Sequence, residues 1–158
     1  MTTSTTRFQT EYAELERFFQ QQVDEDNAEH GCQGIFLPNI PPSKPVDFVL
    51  IAMEPSLGRW AKSLEEAQEK IDRGFKTFAL STEDFILHYC LRKYLCRDNE
   101  TYHITDISKG AMLVNHAGNR RQGRYDRWYS PLLIELGLAA KPVGCQHKWD
   151  RLLMERFG

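Results

Sequence analysis

No apolar run in this 158-residue chain approaches the length of a membrane-spanning helix, and the polar, uncharged opening MTTSTT lacks the apolar segment of a signal peptide. Paired cysteines are missing too. Cys32, Cys90, Cys96 and Cys145 are scattered and form no C-x-x-C pair, which argues against a zinc site and against a compact disulfide framework. Reduced, mostly buried thiols in a cytoplasmic protein are the expectation. Neither sign of charge dominates: the formal net charge is −2, so any nucleic-acid contact must come from a local basic patch. Internal repeats and low-complexity segments are absent, and the length fits one domain over residues 1–158, with residues 1–6 frayed.

What is present centres on Val46–Trp60, VDFVLIAMEPSLGRW. Its six consecutive apolar residues, Phe48 to Met53, read as a strand buried on both faces, hence a central strand of a parallel sheet. Pro55 has no N–H to donate and ends the ladder. Glu54 therefore stands at the C-terminal tip of a buried strand, where open α/β sheets bind ligands. The bland alternative is a strand end that happens to carry a Glu.

Before this strand, Phe8, Tyr12, Leu15 and Phe19 follow helical spacing and predict an amphipathic helix to about Val23, ended by the acidic segment Asp24–Glu29. Gly31–Pro45, with two glycines and four prolines, predicts an extended approach, with Gly34–Leu37 a candidate edge strand. After it, a helix is predicted over Leu57–Arg73, with Trp60, Leu64, Ala67 and Ile71 inward and Gly74 as its stop. Ser81 and Asp84 make a capping-box start for a helix ending near Asp98. Tyr102–Ile107 alternates and is β-rich, so strand, helices and strand follow the order of a right-handed parallel crossover. Lys109–Arg127, basic and glycine-containing, reads as a long functional loop. A helix over Arg127–Leu138 follows, with Trp128, Leu132, Leu133 and Leu136 inward and Pro131 in its first turn or at a kink. Val143–Cys145 is a weak strand candidate, and Trp149, Leu152, Leu153 and Phe157 suggest a short last helix. Only two strong strands are visible, too few by themselves for a doubly wound sheet.

Ala52-Met53-Glu54-Pro55-Ser56 resembles the first motif of the uracil-DNA glycosylase superfamily, a strand ending in Gly-x-Asn-Pro-Gly or a variant of it. Upstream, Gly34–Asp47 resembles the Pro/Gly-rich lead-in of those enzymes. Ile104-Thr105-Asp106-Ile107-Ser108-Lys109 resembles their Thr-Asn-x-x-Lys strand end, and Gly118-Asn119-Arg120 with Trp128–Pro142 the loop and helix that follow. The resemblance covers roughly Gly31 to Pro142. It implies an α/β domain with three layers, α/β/α, around a short central parallel sheet. The four-cysteine pattern of the iron–sulfur branch is absent, so no cluster is expected. The family's last motif, a His before a Pro- or Ser-rich loop, has no counterpart after His147, and the strand expected after Pro142 is missing. Either the C-terminus is truncated relative to the family, or this member works without that element.

The resemblance further implies a base-excision protein that flips a damaged or deaminated base, uracil or a relative, out of DNA and hydrolyses its N-glycosidic bond. Glu54 falls where relatives place the Asp or Asn that positions water and stabilises the sugar cation; a carboxylate there can act as base or as electrostatic stabiliser. Met53, Pro55 and Ser56 complete that motif against the substrate. Asp106 falls where relatives place the Asn that reads the base. An amide matches uracil's donor and acceptors together, whereas an ionised Asp only accepts. Asp106 meets the need if it stays protonated beside Glu54, or if the base presents an amino group. Loop-capping and metal-binding readings of Asp106 stand beside that one.

Lys109 reads as a phosphate contact or as a strand cap, and His116, in the basic loop, as a group to neutralise the leaving base. His88 and His103 read as packing or surface residues. Arg120, Arg121, Arg124 and Arg127 cluster around Tyr125 and read as phosphate contacts or as a solvated loop. Tyr125 and Trp128 are either stacking platforms or core residues. No metal and no cofactor is expected; the implied partner is DNA, bound by a monomer away from any membrane. The competitors are a catalytically degenerate DNA- or nucleotide-binding module of the same fold, and a Mg²⁺-dependent hydrolase with Glu54 and Asp106 as ligands.

Overall fold

A computed structural model describes residues 2–58, 60–79, 81–113 and 121–142. The first amphipathic stripe is longer than its spacing predicts. Helix α1 runs Thr2–His30, so residues 2–6 are helical rather than frayed and the acidic segment does not end it. Phe8, Tyr12, Leu15, Phe19 and Val23 are buried, and Asp26 continues the same stripe inward. Asp26 can be buried because Arg127 Nε (2.6 Å) and Trp128 Nε1 (2.8 Å) both donate to its carboxylate. The stop comes one turn later, at Gly31, whose φ of +64° is the left-handed conformation that suits glycine.

The candidate edge strand forms as β1, Gly34–Phe36. The central run forms β2, Phe48–Ala52, and the alternating segment forms β3, Tyr102–Asp106. β2 and β3 pair in parallel, with Ala52 opposite Asp106. A fourth strand, β4 (Gly110–Met112), lies inside the segment read as a loop and pairs antiparallel with β1. Among the described residues the strands thus fall into two two-stranded sheets rather than one parallel sheet. They are joined at the tip of β2, where Ser56 bridges Met112 in parallel. β2 is also less buried than a run of six apolar residues predicts, since Ile51 is 42% exposed. The better-buried strand is β3, whose residues from His103 to Asp106 are all inside.

Helix α2 spans Leu64–Asp72, starting a full turn and more after the predicted Leu57, because Ser63 supplies the cap by accepting from Glu66 N. Helix α3 spans Thr82–Cys90 and begins with the predicted capping box of Ser81 and Asp84. It runs on into a π-helical turn, Leu91–Leu95, and stops there, short of Asp98. Helix α4 spans Arg121–Ala139, starting six residues before the predicted Arg127 and carrying Pro131 in its interior. Trp128 and Leu132 face inward as expected, but Leu133 is exposed and Glu135 holds the inward position. The predicted weak strand and last helix lie outside the described residues.

The molecule is mixed α/β, with a core on each side of β1. Ile35 packs with Leu37, Leu57, Ala61, Ala67 and Ala111. Its neighbour Phe36 points the other way, toward Leu15, Phe19, Val23 and Trp128 of α1 and α4. Among the described residues no helix is long and apolar enough to cross a membrane. Because Asp26 joins α1 to α4 through two donors, Asp26→Ala should cost about 3–5 kcal/mol in urea unfolding. Glu25→Ala, on the exposed side of the same turn, should leave the midpoint within about 0.5 kcal/mol.

Candidate functional site

The parallel register of β2 and β3 brings the two motif strands to a common end. Beyond Ala52 and Asp106 the chains stay paired: Ile107 N donates to Ala52 O (3.0 Å) and Ser108 N to Met53 O (3.3 Å). Glu54 and Asp106 therefore leave adjacent strand tips, as the spacing of the motifs implies. Met53 is half exposed and Ser56 exposed, while Pro55 is buried, its carbonyl accepting from Met112 N. Beside Pro55 and Ser56 opens a cleft of about 300 Å³, walled by the stacked rings of Trp60 and Phe75. Glu54 and Asp106 do not line it.

The environments of the two carboxyl groups differ sharply. Glu54, with 13% of its side chain exposed, forms an ion pair with Arg124 of α4. Arg124 is 1% exposed, and burial holds its guanidinium below its usual range. Asp106 is 4% exposed, and its carboxyl is pushed up to about 7. Burial is the main cause, Lys109 opposes it, and the second carboxylate that adds to it is Glu135 rather than Glu54. Asp106 is thus poised between neutral and ionised near neutral pH. Next to it, the hydroxyl of Ser108 is fully buried without a hydrogen-bond partner among the described residues.

Glu135 anchors what surrounds Asp106. Its carboxylate accepts from Tyr12 Oη (2.7 Å), Thr105 Oγ1 (2.9 Å) and Lys109 Nζ (2.6 Å), with His103 Nε2 at 3.4 Å. Burial alone would raise its pKa, but the bonds from His103, Lys109 and Tyr12 win and bring it to about 2. Lys109 is buried and spends its donors on Glu135, Thr105 Oγ1 (2.6 Å) and the carbonyl of Asp106. It is a strand cap, not a phosphate contact. Burial lowers its pKa against the pull of Glu135.

Two of the four patch arginines have described side chains, and both differ from the expectation of a loop. Arg124 and Arg127 do not lie in a loop: they are on α4, Arg124 sealed against Glu54 and Arg127 bound to Asp26. Buried or paired guanidinium groups do not present themselves to DNA phosphates. Trp128 is a core residue, and His103 packs edge-on against Tyr12. His116 and Arg120 lie outside the described residues, as does the side chain of Arg121. Glu135 escaped the sequence reading, and Tyr12 was expected on the inward face of the first helix but not as a donor to a buried carboxylate. The signal for Glu135 was position: it lies three residues after Leu132 and seven after Trp128, on the inward stripe. Among the described residues no group of three His, Cys, Asp or Glu side chains could hold a metal ion.

No family model, curated protein or solved structure matches this chain.

The pH dependence of stability follows from Asp106. Its folded pKa lies above its unfolded value of 3.8, so between about pH 4 and pH 7 the folded state holds a proton that the unfolded state has lost. Stability should fall as pH rises through that window, by on the order of a few kcal/mol. Asp106→Asn should abolish the slope, being more stable than the native chain at pH 8 and equal to it near pH 4. Glu135 works the other way: its contribution is present above pH 4.5 and lost as pH falls toward 2. Urea titrations at a series of pH values measure both.

Proposed function

We propose that the chain is a three-layer α/β/α domain of the uracil-DNA glycosylase kind, which receives a flipped base at the tips of β2 and β3 and cleaves its N-glycosidic bond. The observation that carries this is the state of Asp106. A neutral carboxylic acid offers one O–H donor and one carbonyl acceptor side by side, the same pair that an Asn amide offers. With a pKa near 7, Asp106 can match a uracil-like edge that an ionised Asp would repel. Burial has made the acid resemble the amide. The hydroxyl of Ser108, two residues on and without a partner among the described residues, supplies a further group with hydrogen-bonding capacity.

In this mechanism Glu54 is the anion that faces the developing sugar cation. The free protein exposes little of Asp106, so the strand tips must open when a base enters. The leaving base carries negative charge, and hydrogen bonds from Asp106 would draw it off. DNA contact must come from residues other than Arg124 and Arg127.

One observation favours a second reading, a module that binds a base or nucleotide without cleaving it. Glu54 is paired with Arg124, and a compensated carboxylate stabilises a nearby cation less than a lone one. Oligonucleotides carrying U, hypoxanthine, xanthine or a mismatch, followed by alkaline strand scission, separate the two. Cleavage that falls about 100-fold or more in Glu54→Gln supports the enzyme. Binding without product from any lesion supports the module. Under either reading, base binding should weaken as pH rises through 7 and become pH-independent in Asp106→Asn. A chain that neither cuts nor binds any of these oligonucleotides overturns both.

A further inference from the structure

A second cleft, of about 340 Å³, lies against the first half of β3. Its other walls are the Pro-rich segment 39–46, the Thr77–Phe78 turn and the end of α3 with its π-helical turn. Glu54 and Asp106 take no part in it. None of its 14 lining residues is an aspartate or glutamate, although the chain has 22 acidic residues against 20 basic ones. Two of the 14 are the cations Lys44 and Arg92.

Neither cation is paired with a carboxylate among the described residues. Arg7, Lys70, Arg73, Lys109, Arg127 and Lys141 each sit within 4.0 Å of a carboxylate, whereas Lys44 and Arg92 have no such partner among the described residues. Arg92 is nevertheless held in place. Its Nη1 donates to Glu100 O at 2.7 Å, and its guanidinium lies over the Tyr102 ring, 5.3 Å from the centroid. That leaves the other guanidinium donors for a ligand.

The facing wall is also fixed. His88 Nε2 donates to Phe78 O at 2.8 Å, so in the neutral ring Nδ1 accepts from the Tyr102 hydroxyl, also at 2.8 Å. Phe78 has a φ of +57°, the one non-glycine residue among those described in the left-handed region. Such a conformation costs of order 1–3 kcal/mol, persists only where its surroundings impose it, and concentrates at ligand sites. π-Helical turns, of which Leu91–Leu95 is one, concentrate there too.

From this geometry we infer that the cleft binds a phosphate ester of about mononucleotide size, its phosphate held between Lys44 and Arg92. A guanidinium fork matches two phosphate oxygens, and a compact ammonium supplies the second charge. The cleft falls inside the size range of small-molecule sites, about 300–1,000 Å³. The phosphate could belong to a free nucleotide or to the 5′ end of a strand; both present the same chemistry. No residue is shared with the Glu54–Asp106 tips, so the two sites stand or fall separately.

Calorimetric titration of the full chain with AMP, inorganic phosphate, and a ten-nucleotide dT strand with and without a 5′-phosphate tests this. AMP should bind, and Lys44→Gln and Arg92→Gln should each weaken it about tenfold. Glu54→Gln should leave it unchanged. AMP bound more tightly than either strand identifies a free nucleotide. A strand that binds more tightly than AMP, and only when 5′-phosphorylated, identifies a strand end. Lys44 and Arg92 are exposed, so both variants should keep the native circular dichroism spectrum. Failure of all four probes to bind the folded protein overturns the site. So does binding that survives both substitutions at full strength, or that Glu54→Gln removes.

Discussion

A single buried carboxylate, that of Glu135, ties α1, β3 and α4 together. It takes donors from Tyr12 on α1, from Thr105 on β3, and from Lys109 just beyond β3, while itself belonging to α4. Left bare, a carboxylate in that interior would cost several kcal/mol; ringed by donors and one counter-charge it is tolerated. The cost of the arrangement is rigidity of composition, since removing any one partner leaves the others desolvated and unmatched. The same carboxylate reaches beyond packing. It fixes Lys109 over the Asp106 carbonyl, and its charge discourages a second anion at Asp106. One group thus serves the architecture and adds to the chemistry at Asp106.

α4 carries a second such cluster, near its start. Asp26 receives Arg127 and Trp128, and Arg124 meets Glu54 one turn earlier. Arg124, Arg127 or Trp128, Pro131 and Glu135 recur every three or four residues, which is the inward stripe of a helix. The stripe is as polar as it is apolar. It therefore looks like a solvent-facing basic segment when judged by composition, and becomes legible only once α1 and β3 supply the opposite charges.

This marks how far the sequence could be read. The apolar stripe of α1, the parallel β2–β3 pair and the Ser81–Asp84 capping box follow from spacing and local chemistry, and each formed. β4 was hidden because Gly110-Ala111-Met112 has neither β-branched residues nor alternation; it pairs only because β1 lies antiparallel to it. The first turn of α4 has no acidic residue to announce it, so its start passed for a loop. Asp26, Arg124 and Glu135 were missed for a shared reason. Pattern reading sends charged residues to the surface, and what overrides it is a partner distant in the chain: Arg127 and Trp128 for Asp26, Glu54 for Arg124, Tyr12 for Glu135.

The two strand tips show why such overrides matter for chemistry. Two carboxyl groups in like surroundings would titrate together and could not divide donor and acceptor roles between them. Here Glu54 faces a guanidinium, while Asp106 is enclosed and feels the charge of Glu135. The two acids therefore stand in unlike surroundings, one beside a guanidinium and one in a buried site that raises its carboxyl. The separation does not come from the tips themselves, since Ala52 and Asp106 are simply register partners. It comes from the burial of Asp106 and from α4, which delivers Arg124 to one tip and Glu135 to the other, eleven residues or about three helical turns apart. Burial makes the larger part of the difference at Asp106, and the spacing of those two side chains along one helix adds the rest.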